Sequence, residues 1–107
     1  MTDAMVVLIT APNEDDAATM AKVLVEARLA GCVNIIRNIR SLYRWQGKVE
    51  DEQEVLMIVK TREERFADLV KKVKELHSYT VPEIIALPIV NGVEEYLGWL
   101  RQETEKG

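Results

Sequence analysis

Cysteine is almost absent. Cys32 is the only one in 107 residues, which excludes an intrachain disulfide and any cysteine-rich zinc motif. It also points to a reducing compartment, most simply the cytoplasm. Histidine is as scarce: His77 stands alone, so histidines of one chain cannot build a metal site. An excess of basic charge is missing too. Lys plus Arg is 14 against 18 Asp plus Glu, a formal net charge of −4. Such a chain lacks the electrostatic footprint of a nucleic-acid binder and does not suit an anionic membrane surface. The apolar run at residues 5–9 is far too short to cross a bilayer. The opening Met1-Thr-Asp-Ala4 has neither the basic start nor the apolar core of a signal peptide. No linker, repeat or low-complexity tract appears. With 48% hydrophobic residues, residues 1–107 read as one globular domain.

The patterning predicts the elements. Residues 5–11 are rich in β-branched side chains and read as a strand. Pro12 and Asn13 interrupt it. Asn13 is a good helix N-cap, with Glu14, Asp15 and Asp16 where the helix dipole favours negative charge. Ala17, Met20, Leu24 and Ala27 recur at helical spacing, and Gly31 is the expected stop. Residues 32–36 and 42–45 are β-like, Gln46-Gly47 is a hairpin tip, and residues 48–59 return. Thr61-Arg-Glu-Glu64 has the spacing of a capping box. Phe66, Leu69, Val70, Val73 and Leu76 then share one face of a helix. A last strand, residues 84–90, carries Pro88, which marks an edge or a bulge. A short C-terminal helix follows, with Val93, Tyr96, Leu97 and Leu100 on one side.

The predicted class is α+β: a ferredoxin-like β-α-β-β-α-β sandwich with an extra C-terminal helix. A sheet with one bare face should alternate apolar and polar residues. Residues 5–9 and 55–59 are apolar throughout, so both faces of the central strands must be covered. Other copies of the chain are the expected cover. The long second and third strands would project as a hairpin arm, which is marginal unless it pairs with a neighbour.

Few residues suggest chemistry. His77 ends the second helix and reads as a hydrogen-bonded structural histidine or as a metal ligand. Cys32 reads as a small buried residue or as a soft-metal donor. Glu50, Asp51, Glu52 and Glu54 read as solvated edge charge, with weak cation binding as the rival. Lys60, at the end of a buried strand, is expected to pair with a carboxylate such as Glu83. Tyr43, Trp45, Tyr79, Tyr96 and Trp99 hold nearly all the aromatic surface and suit interfaces. No phosphate loop, nucleotide fingerprint or Ser-His-Asp set is present.

Several motifs in order resemble the CutA divalent-ion-tolerance family. They are Thr10-Ala-Pro-Asn13, Arg28-Leu-Ala-Gly-Cys-Val-Asn34, Ser41-Leu-Tyr-Arg-Trp-Gln-Gly-Lys48, Lys60-Thr61, Leu76-His77, Tyr79, Val81-Pro-Glu-Ile84 and Tyr96-Leu-Gly-Trp-Leu100. The resemblance implies a trimer assembled as in PII signalling proteins, a link to copper and other divalent cations, and no established reaction. It implies metal ligands at His77 and Cys32, with copper or another divalent cation bound weakly and no organic cofactor. Some members have a cysteine and a second histidine where this chain has Ile9 and Leu76, which cannot ligate. Lys60, Tyr79 and Glu83 would lie near an intersubunit cleft, with Tyr43, Trp45 and Trp99 at the trimer interface. The expected partners are further copies of the chain and metal ions, with no nucleic acid and no membrane. The alternative function is a PII-like signalling or small-molecule module, with a small anionic ligand in that cleft.

Overall fold

A computed structural model describes residues 2–106. The elements run β1 (Ala4–Ala11), α1 (Glu14–Glu26), β2 (Cys32–Trp45), β3 (Lys48–Arg62), a 3-10 turn (Glu63–Arg65), α2 (Phe66–Leu76), β4 (Ile84–Pro88) and α3 (Glu94–Glu103). The order is the predicted β-α-β-β-α-β plus a terminal helix. One four-stranded sheet has the order β2-β3-β1-β4, with every pair antiparallel. β4 lies at an edge, where Pro88 breaks no interior ladder.

Strand alternation sorts the side chains. The core gathers Val7, Ile9, Met57 and Val59 from the sheet, Met20 and Leu24 from α1, and Leu69 and Val73 from α2. The intervening residues point to the opposite face. Direct pairs there include Leu8 with Ile58, Leu8 with Ile85, Val6 with Leu87, and Ile36 with Leu56. α3 covers one end of that face, where Leu100 and Thr104 are fully buried and Arg62 reaches Thr104. The rest is open in the chain: Ile85 and Leu87 are each 51% exposed and Ile36 44%. The doubly apolar strands therefore have the two faces that the sequence predicts, and the chain itself covers only one in full.

Local signals held at some turns and failed at others. Asn13 caps α1, its side chain accepting from the Asp16 amide at 2.8 Å. Gln46 and Gly47 have φ of 50° and 80°, the left-handed pair that a tight hairpin demands. Gly31 does not stop α1. The helix ends at Glu26, and Arg28 takes the left-handed turn with φ 61°. Gly31 is needed for space instead, because a Cβ there would stand 2.6 Å from Leu100 Cδ1. The expected capping box does not form. Thr61 is still in β3, its hydroxyl donates to the Leu29 carbonyl at 2.6 Å, and α2 starts at Phe66 without a side-chain cap. β2 is one continuous strand, not two, with an irregularity between Ile36 and Ile39. Asn38 turns the chain there at φ 61°, and its side-chain oxygen accepts from Gln53 at 2.7 Å. Beyond it the β2–β3 hairpin extends as the expected arm.

Candidate functional site

The residues singled out in the sequence fall at two separate places on the sheet. Thr10, which His77 touches, pairs with Leu56, whereas Cys32 pairs with Lys60. Four strand residues separate these points, about 13 Å. His77 and Cys32 therefore do not converge within one chain.

At the first place the arm, Thr10 and the 78–83 loop enclose a cleft of about 830 Å³. β3 delivers Glu50, Glu52 and Glu54 to it from alternate positions, and the loop adds Glu83. Glu54 is buried, at 5% exposure, and its Oε2 accepts from the Tyr79 hydroxyl at 2.7 Å. The Tyr43 hydroxyl donates to Glu52. Arg40 also lines the cleft, but its guanidinium grips Asp51 in two bonds of 2.9 and 2.6 Å. That pairing raises the Arg40 pKa and lowers that of Asp51.

His77 orients Tyr79. Its Nδ1 accepts from the Tyr79 amide at 3.0 Å, so Nε2 carries the proton and donates to the Thr10 carbonyl at 2.7 Å. The two rings meet at 4.7 Å between centroids, tilted by 50°. Both ring nitrogens are thus committed, the structural role that the sequence offered first. Metal ligation by His77 has to displace one of these bonds.

The phenols respond to the carboxylates they face. The Glu52 hydrogen bond, then burial, pushes Tyr43 up to about 12. Burial, then the Glu54 bond, pushes Tyr79 above its ordinary value. A raised folded-state pKa adds stability that is fully present below the unfolded value, about 10, and is lost as pH rises through the folded one. Near-ultraviolet absorbance should therefore show at least two of the three tyrosines, Tyr43 and Tyr79, resisting ionisation at pH 11. Tyr79→Phe should remove one of them. Three phenols titrating together near pH 10 would contradict both contacts.

At the second place Lys60 Nζ donates to Asn34 Oδ1. It does not pair with Glu83, as the sequence suggested, because Glu83 lines the distant cleft. Cys32 is a half-buried free thiol, with Sγ 3.9 Å from Asn34 Oδ1. The Tyr96 phenol is pushed up by burial and then by Cys32, and its ring lies 5.4 Å from that of Trp99. Among the described residues no group of three or more His, Cys, Asp or Glu side chains could hold a metal ion. Trp45 lines the first cleft and is 43% exposed; Trp99 is 41% exposed at the second place.

Sequence reasoning missed the burial of Glu54. The available signal was its two-residue spacing from Leu56 and Ile58, which puts it on their face. It also missed Arg62 and Arg65, whose side chains are buried. Their partners Thr104 and the Arg28 carbonyl lie too far along the chain for any local pattern.

Known proteins match the chain over nearly its whole length. The sequence profile of the CutA1 divalent ion tolerance protein matches residues 5–103. The divalent-cation tolerance protein CutA of Thermus thermophilus is 59% identical over 99 residues, 92% of this chain and 96% of that protein. Human protein CutA is 47% identical over 97 residues, 91% of this chain but only 54% of its own length. The solved structure of the Thermus thermophilus protein superposes with a TM-score of 0.94 at 57% identity, covering 95% of this chain and 99% of that one. A structure described as the periplasmic divalent cation tolerance protein CutA of Archaeoglobus fulgidus gives 0.93 at 46% identity, covering 95% and 99%. The chain belongs to the CutA1 divalent ion tolerance family.

Proposed function

We propose that this protein acts as a homotrimer in the response to divalent metal ions and binds copper or another divalent cation weakly, without catalysing a reaction. The observation that carries the reading is the apolar sheet face left open beside the acidic cleft. Leu8, Leu56 and Ile58 are central to it, and Ile36, Ile85 and Leu87 are exposed at its margins. An exposed continuous apolar surface of this kind suits self-association into a closed symmetric assembly, and the resemblance to the CutA family supports three copies. Assembly on this face would bring Tyr43 and Trp45 of the arm and Trp99 of α3 against neighbours. It would also place His77 and Cys32 near ligands from other chains, which each needs. Family membership supports the link to divalent cations. The free thiol supports a reducing compartment such as the cytoplasm, although a relative is described as periplasmic.

The alternative, a PII-like small-molecule module, draws support from the size of the cleft. An anionic ligand suits it poorly, however. Glu50, Glu52, Glu54 and Glu83 line it, Arg40 is already paired, and Lys60 lies at the other end of the sheet.

Calorimetric titration with Cu(II), Cu(I) and Zn(II) tests the metal reading. Cu(II) binding is expected to fall in His77→Ala and Cu(I) binding in Cys32→Ser, following donor softness. Wild-type binding by both variants would make these residues structural. No binding of any of the ions would remove the metal reading.

A further inference from the structure

We propose that Asn91 is a site of spontaneous covalent modification. Its side-chain amide closes to a cyclic imide on the Gly92 nitrogen and reopens as aspartate or isoaspartate, and the isoaspartate loosens α3. The proposal rests on neither the metal reading nor the cleft. Its first support is the place of the dipeptide. Asn91-Gly92 lies in the connection between β4 and α3, outside any helix or strand, and both residues are exposed. Connections of this kind are more mobile than the elements they join. Gly92 has no Cβ to crowd its amide nitrogen or narrow its backbone choices.

The second support is the local geometry. The Gly92 amide donates to Asn91 Oδ1 at 3.2 Å. The side chain is therefore folded back on the next peptide nitrogen, with its carboxamide carbon beside the atom that must attack it. Among the described residues no other acceptor holds that amide, so attack breaks no ladder or helix bond. The other three asparagines are placed differently. Asn13 caps α1 through the Asp16 amide. Asn34 and Asn38 lie in β2 and accept from Lys60 and Gln53. Each of those two precedes an isoleucine, whose branched Cβ crowds the nitrogen that would attack.

The reaction needs only water. The Gly92 nitrogen loses its proton and bonds to Asn91 Cγ, the Cγ–Nδ2 bond breaks, and ammonia leaves with that proton. Water then opens the imide. Cleavage of the new Cγ–N bond gives aspartate. Cleavage at the Asn91 carbonyl carbon leaves Gly92 joined through Cγ, which is isoaspartate. No atom is oxidised or reduced. Either product adds one negative charge, and isoaspartate also adds one carbon to the main chain. α3 is placed to register that carbon. Leu97 sits over Gly92, with Cγ and both Cδ atoms 3.4 Å from where a Cβ would stand, and α3 begins at Glu94 without a side-chain cap.

The test is peptide-resolved mass spectrometry of the full chain in its native assembly, aged in warm neutral buffer made with oxygen-18 water. The Asn91 peptide should gain about 3 Da, an NH replaced by one heavy oxygen, and should hold both isoaspartate and aspartate. Peptides with Asn13, Asn34 and Asn38 should convert at most about one-tenth as fast. Asn91→Gln, which needs a larger imide ring, should slow conversion at this position by about tenfold or more. Amide exchange over residues 94–104 should quicken several-fold in the isoaspartate fraction. It should not quicken in Asn91→Asp, which carries the charge without the extra carbon. An Asn91 peptide that keeps its mass while the guanidinium-unfolded chain converts overturns the proposal. So does aspartate without isoaspartate, or equal conversion at all four asparagines. Equal exchange in the isoaspartate fraction and in Asn91→Asp would overturn the effect on α3.

Discussion

Ile58→Asp is expected to convert the assembly into single chains. Light scattering of the wild type should give three times the chain mass of 12.2 kDa, and the variant should give one. Ile58 lies on β3 between Leu8 of β1 and Asn34 of β2, on the face opposite α1 and α2. In the separate chain this position keeps contact with solvent, so an aspartate there stays hydrated and the core of Val7, Met57 and Val59 is untouched. In an assembly closed over that face the same carboxylate is buried without a partner, which costs several kcal/mol per copy. Circular dichroism should therefore report a folded chain while the mass falls. Val25→Asp is the control. Val25 is exposed on α1, remote from the sheet face, and its substitution should leave the mass unchanged. A monomeric wild type would remove the assembly.

That prediction was available from the sequence because it depends on periodicity alone. Residues 5–9 and 55–59 lack the polar alternation of a half-wet sheet, and the structure puts Leu8 and Ile58 on a face that α3 covers only at one end. The chemistry was less legible. In the 50–54 segment, charge argued for an exposed edge, and Glu50 and Glu52 could satisfy that reading alone. Glu54 departs from it because β3 enters the sheet there and the 77–79 turn folds Tyr79 over it. That turn is set by His77 reaching across 67 positions of sequence to Thr10, and no spacing rule encodes such a contact. Thr61 shows the opposite failure. A valid local signal for a helix start lost to a long-range bond with Leu29, since continuing β3 pairs Thr61 with Met5. Gly31 was noticed for its backbone freedom, but what it supplies is room for Leu100.

Arg62→Leu is expected to lower stability by about 2–4 kcal/mol, with most of the loss at α3. The Arg62 side chain is 8% exposed and ties three distant parts of the chain together. Nε donates to Thr104 Oγ1 at 2.8 Å, and an Nη donates to the Thr104 carbonyl at 3.1 Å. The remaining contacts are Asp3 at 3.4 Å and Glu64 at 3.0 Å. Those two carboxylates are half exposed, and such pairs contribute little. The Thr104 bonds matter more, because Thr104 is fully buried and its hydroxyl proton already goes to the Leu100 carbonyl at 2.7 Å. Leucine fills much of the space but leaves the Thr104 oxygens without their charged donor. The C-terminal turn of α3 should then open, and Leu100 with it. Amide exchange across residues 94–104 should accelerate more than exchange in α1. Arg62→Lys should recover only part of the loss, since a lysine cannot supply the planar fork that reaches both Thr104 oxygens. Asp3→Ala and Glu64→Ala should each change stability by less than about 1 kcal/mol. If Arg62→Leu unfolds at the wild-type temperature with unchanged exchange in α3, Thr104 is held by the helix alone and the clamp has no role.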